Sequence, residues 1–372
     1  MRAAQTTYDT AESSGDVNKA QGKDSCQRPN TCRRVTIMTA SDLSTPNYNH
    51  ERISTIYPLI DTHTHFDAPV FDHDRTALAQ QAYERGVRHL VLVGYLARHF
   101  ERMYETKHAL TATDALQDKY GDNRDRPPMP VTHIALGLHP FYIEQHTDQH
   151  LADMAQMLGQ KRPIAIGEIG LDTFTDAMKV PAVFAKQQQF FCAQLDMAVA
   201  HQLPVMLHIR KAHAEALAIL KAHDYDAQQL GGIAHSFSGG EQEAKAFVKL
   251  GFKLGVTGQV TNPNAKKLRR AISAAVNAHG ISCLVLETDC PDMTPIMCQT
   301  AGDSASALDQ SPDDEWGVPS TAGCAHNRNV PANLPWVLSS LSELLEIPID
   351  ELAKQLWQNS NDALQTHWPY PV

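Results

Sequence analysis

None of the apolar runs in this 372-residue sequence reaches the roughly 18 residues needed to cross a bilayer, so no membrane segment is expected. Its seven cysteines include no CxxC pair and are odd in number. That argues against a disulfide framework and fits a reducing, cytoplasmic setting. Positive charge is in deficit: 32 Lys and Arg stand against 42 Asp and Glu, for a net charge of −10. No global positive field therefore draws in nucleic acid, and a polyanionic substrate would need a local basic patch or metal ions. No GxGxxG follows any β-rich run, which disfavours an open, doubly wound dinucleotide-binding sheet.

Residues 1–52 lack both sustained periodicity and the apolar stretch of a secretory signal, and their acidic residues argue against a transit peptide. So polar a segment buries too little apolar surface to offset the entropy of ordering, and a disordered extension is expected, with Met38 a second candidate start. From 53 to 372 the texture is regular. Eight β-rich runs, "YPLID", "VRHLVLVG", "VTHIALGLHP", "RPIAIGEIG", "LPVMLHIR", "GGIAHSF", "FKLGVTG" and "SCLVLETD", alternate with helical patterns such as 184–201 and 334–345. That alternation implies parallel βαβ units of the α/β class, and eight is the number that closes a TIM barrel, (β/α)8. Two long loops are expected, at about 111–130 and 296–325. The second leaves the end of strand eight, where it could cover part of an active site.

In a parallel barrel the chemistry sits at the C-terminal ends of the strands. His63 and His65 end strand one, Glu168 strand four, His208 strand five, His235 strand six and Asp289 strand eight. All six are residue types that ligate divalent metals through nitrogen or oxygen. Side chains at i and i+2 share a face of a strand, so His63 and His65 both point into the mouth, Arg210 follows His208, and Glu287 lies beneath Asp289. Six such residues suggest two ions rather than one. Glu168 stands between the two groups as a bridge, with a shared hydroxide as nucleophile. Glu168 and Asp289 are the candidate catalytic carboxylates. The donor set accepts Mg, Mn or Zn.

At these residues the chain resembles the TatD family of metal-dependent deoxyribonucleases, within the amidohydrolase superfamily. The matching segments are "IDTHTHFD", "GLHP", "IGEIGLD", "PVMLHIRKAH", "AHSFSGG", "LGVTGQVTNP", "LVLETDCPDM" and "RNVP", in the family's order over about 57–365. The resemblance implies that His63, His65, Glu168 and Asp289 hold one ion and Glu168, His208 and His235 the other. It also implies 3′→5′ exonuclease action, best on single-stranded DNA, with no obligatory protein partner predicted. Thr64 and Ser236 depart from the family's usual residues, and the extension and 296–325 have no typical counterpart. Both bear on substrate access more than on chemistry.

Arg210 is the candidate for gripping a substrate phosphate, because a guanidinium offers a fixed fork of donors; a structural ion pair is the alternative. His139 in "GLHP" is a candidate substrate contact, or else simply ends strand three. Glu287 is expected to orient a ligand imidazole, and Asp172 to organise the loop after strand four. "AKKLRR" at 265–270 reads as a solvated helix face or a local patch for the DNA backbone. The competing enzyme is a two-metal hydrolase of small esters, lactones or amides. Many such relatives bridge their metals with a carboxylated lysine from strand four, and "PIAIGEIGLD" contains no lysine. A non-catalytic DNA-binding scaffold is disfavoured by the complete donor set and the negative charge.

Overall fold

A computed structural model of the chain describes residues 55–119, 128–299 and 328–371. The extension over 1–52, the start at Met38 and the loop from 300 to 325 fall outside them. Eight strands, β1 (Leu59–Thr64), β2 (Val87–Val93), β3 (Val131–Leu136), β4 (Ala165–Asp172), β5 (Val205–Arg210), β6 (Ile233–Ala234), β7 (Lys253–Val256) and β8 (Leu284–Leu286), pair in sequence order. Each is parallel to the next. The helices among the described residues are α1 (Arg75–Glu84), α2 (Phe100–Lys119), α3 (Asp148–Gln160), α4 (Pro181–His201), α5 (His213–Ala222), the single turn α6 (Ala227–Leu230), α7 (Glu241–Leu250), α8 (Lys266–His279), α9 (Leu334–Leu345) and α10 (Ile349–Leu364). Among them none is long and apolar enough to cross a membrane. This is the expected (β/α)8 barrel.

The seam between β1 and β8 closes at the mouth. Asp289 N donates to His63 O and His65 N to Cys290 O, both at 2.9 Å. Beneath them the Asp61 carboxylate accepts from Thr288 N at 2.8 Å and Thr288 Oγ1 at 2.5 Å. The first turn of the catalytic face is thereby tied to the last. Strand periodicity divides the apolar residues as the pleat requires. Val91, Val93, Ala135, Ala165, Met206, Ile233 and Val285 fill the barrel, whereas Leu90, Leu92, Ile134, Leu136, Ile166 and Leu207 face the helices.

Two expectations are corrected. The loop placed at 111–130 is helical as far as Lys119, because α2 meets neither glycine nor proline before Gly121. Strand four also runs on past Glu168 to Asp172. Its register against β5 shifts between Gly167 and Ile169. Ile166, Ile169 and Leu171 pack outward among the helices, so two residues, Gly167 and Glu168, lie between consecutive outward positions. That is a β-bulge, and bulges re-aim a side chain. Simple alternation from the inward Ala165 would send Glu168 to the helices; the bulge turns it into the mouth.

The opposite end of the barrel is plugged. The Trp368 ring stacks on His89 with centroids 4.1 Å apart and planes within 9°. It also lies 4.5 Å from the ring of His133, and His89 Nδ1 is 3.1 Å from His133 Nε2. Burial pushes His89 down to about 4. Burial, helped by His89 and Lys107, pushes His133 down to about 3. Both therefore bind protons more readily in the unfolded chain, so stability rises with pH across this interval and is lost as pH falls from 6.5 towards 4. The melting temperature should drop over that window, and a His89→Gln/His133→Gln double variant should show a shallower slope. A double variant that keeps the wild-type slope places the acid sensitivity elsewhere.

Candidate metal centre

The mouth of the barrel is organised around one carboxylate. Glu168 is 1% exposed, and imidazoles from four strands or their ends surround it. His208 Nδ1 lies 2.7 Å, His139 Nε2 3.3 Å and His235 Nε2 3.6 Å from its Oε1. His63 Nε2 lies 3.3 Å and His65 Nε2 3.5 Å from its Oε2. Asp289 completes the ring, with Oδ1 3.8 Å from His63 Nε2 and Oδ2 3.4 Å from His235 Nε2. The six residues taken from strand ends, and His139 with them, thus meet in one place. Three mutually close groups of donor atoms result: His63, His235 and Asp289; His63, His65 and Glu168; His139, Glu168 and His208. His235 reaches Glu168 Oε1 beside His208, yet its tightest group is with His63 and Asp289.

The far nitrogen of each ring decides what its near nitrogen can do. His65 Nδ1 lies 3.0 Å from the carbonyl oxygen of Val93, which can only accept. Nδ1 therefore carries a proton and Nε2 faces the site. Burial lowers the ring, but Glu168 and Asp289 outweigh it and push it up to about 9, so a bound cation would take the place of the proton on Nε2. His235 Nδ1 sits 3.0 Å from Glu287 Oε1, close enough for charge to hold the ring though not aligned as a hydrogen bond, and its Nε2 is the nitrogen that faces the site. His208 is reversed: Nε2 is anchored 2.9 Å from Asp172 Oδ2, and Nδ1 points inward. These carboxylate and carbonyl anchors are the supports that metal-ligating histidines ordinarily use. His63 is buried, and among the described residues neither ring nitrogen has a hydrogen-bond partner.

His139 differs. Its Nδ1 accepts from Phe141 N at 3.0 Å, so a neutral ring carries its proton on Nε2, the atom facing Glu168. Distance alone groups it with Glu168 and His208, but in this tautomer it offers the site a hydrogen, not a lone pair. Burial pushes it down to about 4, with Glu168 opposing and His208 reinforcing, which keeps it neutral.

Electrostatics sort the remaining groups. Burial raises the Glu168 carboxyl, but the imidazoles around it, His139 through its hydrogen bond and His235 through its charge, hold it well below the usual carboxylate range. Asp289 is likewise held ionised against burial, chiefly by His235. Burial and His235 push His63 down, towards the neutral form that donates a lone pair. A buried carboxylate without a compensating cation costs on the order of several kcal/mol, and His63, His65, His208, His235 and Asp289 gather around Glu168 where such a cation would sit. Against burial, the carboxylates push His65 and His208 up to about 9 and His235 well above its usual range, so these rings hold protons where divalent cations of the nitrogen- and oxygen-binding kind would sit, beside the two ionised carboxylates and His63.

Asp172 combines two duties. Its Oδ2 holds His208, while its Oδ1 accepts from Phe174 N at 2.7 Å and shapes the loop. Thr64 turns away from the centre, with Oγ1 2.7 Å from Cys290 Sγ. Arg210 lies exposed at the rim and forms no ion pair among the described residues; its Cζ is 3.4 Å from the centroid of the Phe174 ring. In α8, Arg269 Nη1 donates to Val260 O at 2.6 Å and Arg270 Nε sits 3.9 Å from Glu241, so this run is partly spent on structure. Sequence reasoning missed Asp61, whose signal was its i−2 spacing from His63, and Asp292, raised to about 7 by burial and by Asp289. It also missed Tyr95, edge-on to His65 at 5.3 Å, and Tyr142, 5.6 Å from His139.

Comparison with known proteins places this geometry. Residues 60–365 match the sequence model of the family described as TatD related DNase. The chain is 34% identical over 304 residues to the uncharacterized metal-dependent hydrolase YjjV of Escherichia coli (strain K12), covering 81% of this chain and 95% of that protein. The crystal structure of that TatD homologue superposes with a TM-score of 0.63 at 33% identity, over 84% of this chain and all of the other. The 3′-5′ ssDNA/RNA exonuclease TatD of Cronobacter sakazakii is 31% identical over 226 residues, 60% of this chain and 75% of the relative.

Metal content gives a direct test. His63→Ala, His235→Ala and Asp289→Ala should each weaken divalent-metal binding by more than the roughly 10- to 100-fold that loss of a supporting group costs, and Glu287→Gln should fall within that range. His139→Gln should leave affinity near wild type. Metal titration monitored by calorimetry, with circular dichroism to confirm folding, decides each. Tight binding by folded Asp289→Ala, or lost binding in His139→Gln, would reverse these assignments.

Proposed function

The chain belongs to the TatD related DNase family of metal-dependent hydrolases, and from that premise we propose that it removes nucleotides from the 3′ end of single-stranded DNA. The observation that carries this reading is the convergence of His63, His65, His208 and His235 on the Glu168 carboxylate, with Asp289 against His63 and His235. The related exonucleases that bear the name ssDNA/RNA exonuclease support the choice of substrate.

His63, His65, Glu168 and Asp289 would hold one divalent ion, and Glu168, His208 and His235 the other, with Glu168 shared. Bound there, two such ions polarise the phosphodiester and make water a usable nucleophile at neutral pH, and Mg, Mn and Zn are all compatible with the donors. The chain's own groups do the rest. Asp289, at the open end of the ring, takes a proton from the attacking water on a carboxylate oxygen and returns it to O3′ as the P–O3′ bond breaks. Water's oxygen stays on phosphorus, so the products are a 5′-nucleotide and a strand with a new 3′-hydroxyl. His139 donates its Nε2 hydrogen to a non-bridging phosphate oxygen, a neutral imidazole acting as a fixed donor. Asp172 and Glu287 keep the rings of His208 and His235 turned inward.

End-labelled single-stranded DNA with metal-loaded protein tests this. Stepwise shortening from the 3′ end, 5′-mononucleotide products and full inhibition by a chelator are expected. Intact DNA alongside rapid turnover of a lactone or phosphotriester would favour the small-ester hydrolase instead. His139→Gln, which keeps a donor in the same place, should retain more activity than His139→Ala, by on the order of tenfold. Equal losses would remove His139 from the substrate side.

We also propose that the barrel alone carries the activity, since the family match begins at residue 60. A chain starting at Asn49 should fold and hydrolyse DNA like the full chain. Lost solubility or activity on that truncation would make the preceding residues part of the working domain.

A further inference from the structure

The rim between β4 and β5 carries two cations on one aromatic ring. Arg210 Cζ lies 3.4 Å from the centroid of Phe174, and Lys211 Nζ lies 4.5 Å from it. Both cationic residues are exposed, and neither forms an ion pair among the described residues. The nearby Asp176 is taken up by Lys179 at 2.8 Å. Of the acidic residues at the mouth, Asp292 senses the charge of Arg210 without touching it.

The arrangement is braced. Thr173 N donates to Arg210 O and Thr173 Oγ1 to Lys211 O, both at 2.9 Å. Phe174 N donates to the same Asp172 carboxylate that holds His208, so the rim and the centre share one support. Lys211 has φ of 57°, the left-handed region that favours glycine. A long cationic residue there, beside an arginine and in a chain of net charge −10, is a local concentration of positive charge set against the overall balance. A guanidinium seated over a ring face leaves its N–H edges available for a further partner, which is how arginine grips phosphate oxygens in pairs.

Resting on the nuclease reading above, we propose that Phe174, Arg210 and Lys211 form a second phosphate subsite for the phosphate next to the scissile one. The chain therefore selects substrates with at least two phosphodiesters, oligonucleotides over mononucleotide diesters and small esters. Phe174 is a positioning residue: it holds the guanidinium flat and touches no reacting atom.

Two readouts on the metal-loaded full chain test this. The first is kcat/KM on a single-stranded dT8 relative to that on thymidine 5′-(p-nitrophenyl phosphate), which has one phosphodiester. Phe174→Leu and Arg210→Gln should lower this ratio about tenfold, chiefly through KM for dT8. Lys211→Gly suits the left-handed backbone, so its folding is not at issue. It should lower the ratio and cut the slope of log KM for dT8 against log salt by about 0.7, the value for one phosphate contact on a single strand. The second readout is anisotropy of a fluorescein-labelled dT8 with phosphorothioate links that resist hydrolysis. Equal losses on both substrates, or an unchanged salt slope, overturn the subsite even if wild type is an active nuclease. Variant-sensitive anisotropy with no cleavage by wild type keeps the subsite and overturns the nuclease reading. Wild type that neither binds nor cleaves dT8 overturns both.

Discussion

A carboxylate buried as deeply as that of Glu168 must be surrounded by positive charge or by groups that collect it, and much of the mouth of this barrel answers to that requirement. The side chain arrives there through the bulge at Gly167, which breaks the alternation of β4. Its backbone is admitted only because β3 gives way to a glycine. A Cβ on Gly137 would stand 2.4 Å from Glu168 N. On the far side, a Cβ on Gly255 would fall 2.3 Å from Glu287 Oε1, so the carboxylate that backs His235 also depends on an absent side chain. Packing of small residues between strands thus sets the positions of two charges, and those charges set the orientation of the rings around them.

Those rings are not equivalent, although they look alike in sequence. Each has one nitrogen committed to the scaffold, apart from His63, and the nature of that commitment assigns the other nitrogen. A carbonyl or carboxylate anchor leaves the inward nitrogen as the one that would give its proton up to a bound cation; the amide of Phe141 leaves His139 with an inward proton it would keep. The same mouth therefore offers both what a cation needs and what a phosphate oxygen needs. His139 gains this role from its place at the start of a 3-10 turn, Pro140–Gln145, whose second amide it caps. Strand three stops at Leu136, so His139 does not end it; it caps the following turn, and that cap fixes the tautomer with which it would contact substrate.

The eight strands and the donor residues were legible because both follow short-range rules. Parallel strands buried on both faces appear as unbroken apolar runs, and the spacing of His63 and His65 puts them on one face whatever lies around them. What escaped depended on relations across the chain. The bulge at Glu168 adds one residue to a strand and leaves no mark in "AIGEIGLD" that separates it from plain alternation. The helix through Lys119 was hidden because Thr111, Thr113 and Asp114 have low helix propensity, a weak term that the absence of glycine and proline overrode. Nothing near Phe174 announces that its ring lies under a guanidinium thirty-six residues later in the chain.

The link between centre and rim runs through Asp172. One of its oxygens holds His208 and the other holds the amide of Phe174, so a single buried carboxylate fixes both an inward ring and the platform beneath Arg210. Its ionised state is maintained against burial largely by His208. Loss of that imidazole would therefore free the loop after β4 as well as remove a donor. Conversely, a substrate phosphate pulling on Arg210 would load Phe174, then Asp172, then the orientation of His208. Mechanical continuity of this kind lets a group two residues further along β5 influence the centre without touching it, and it follows from the two-residue period of the strand together with one shared carboxylate.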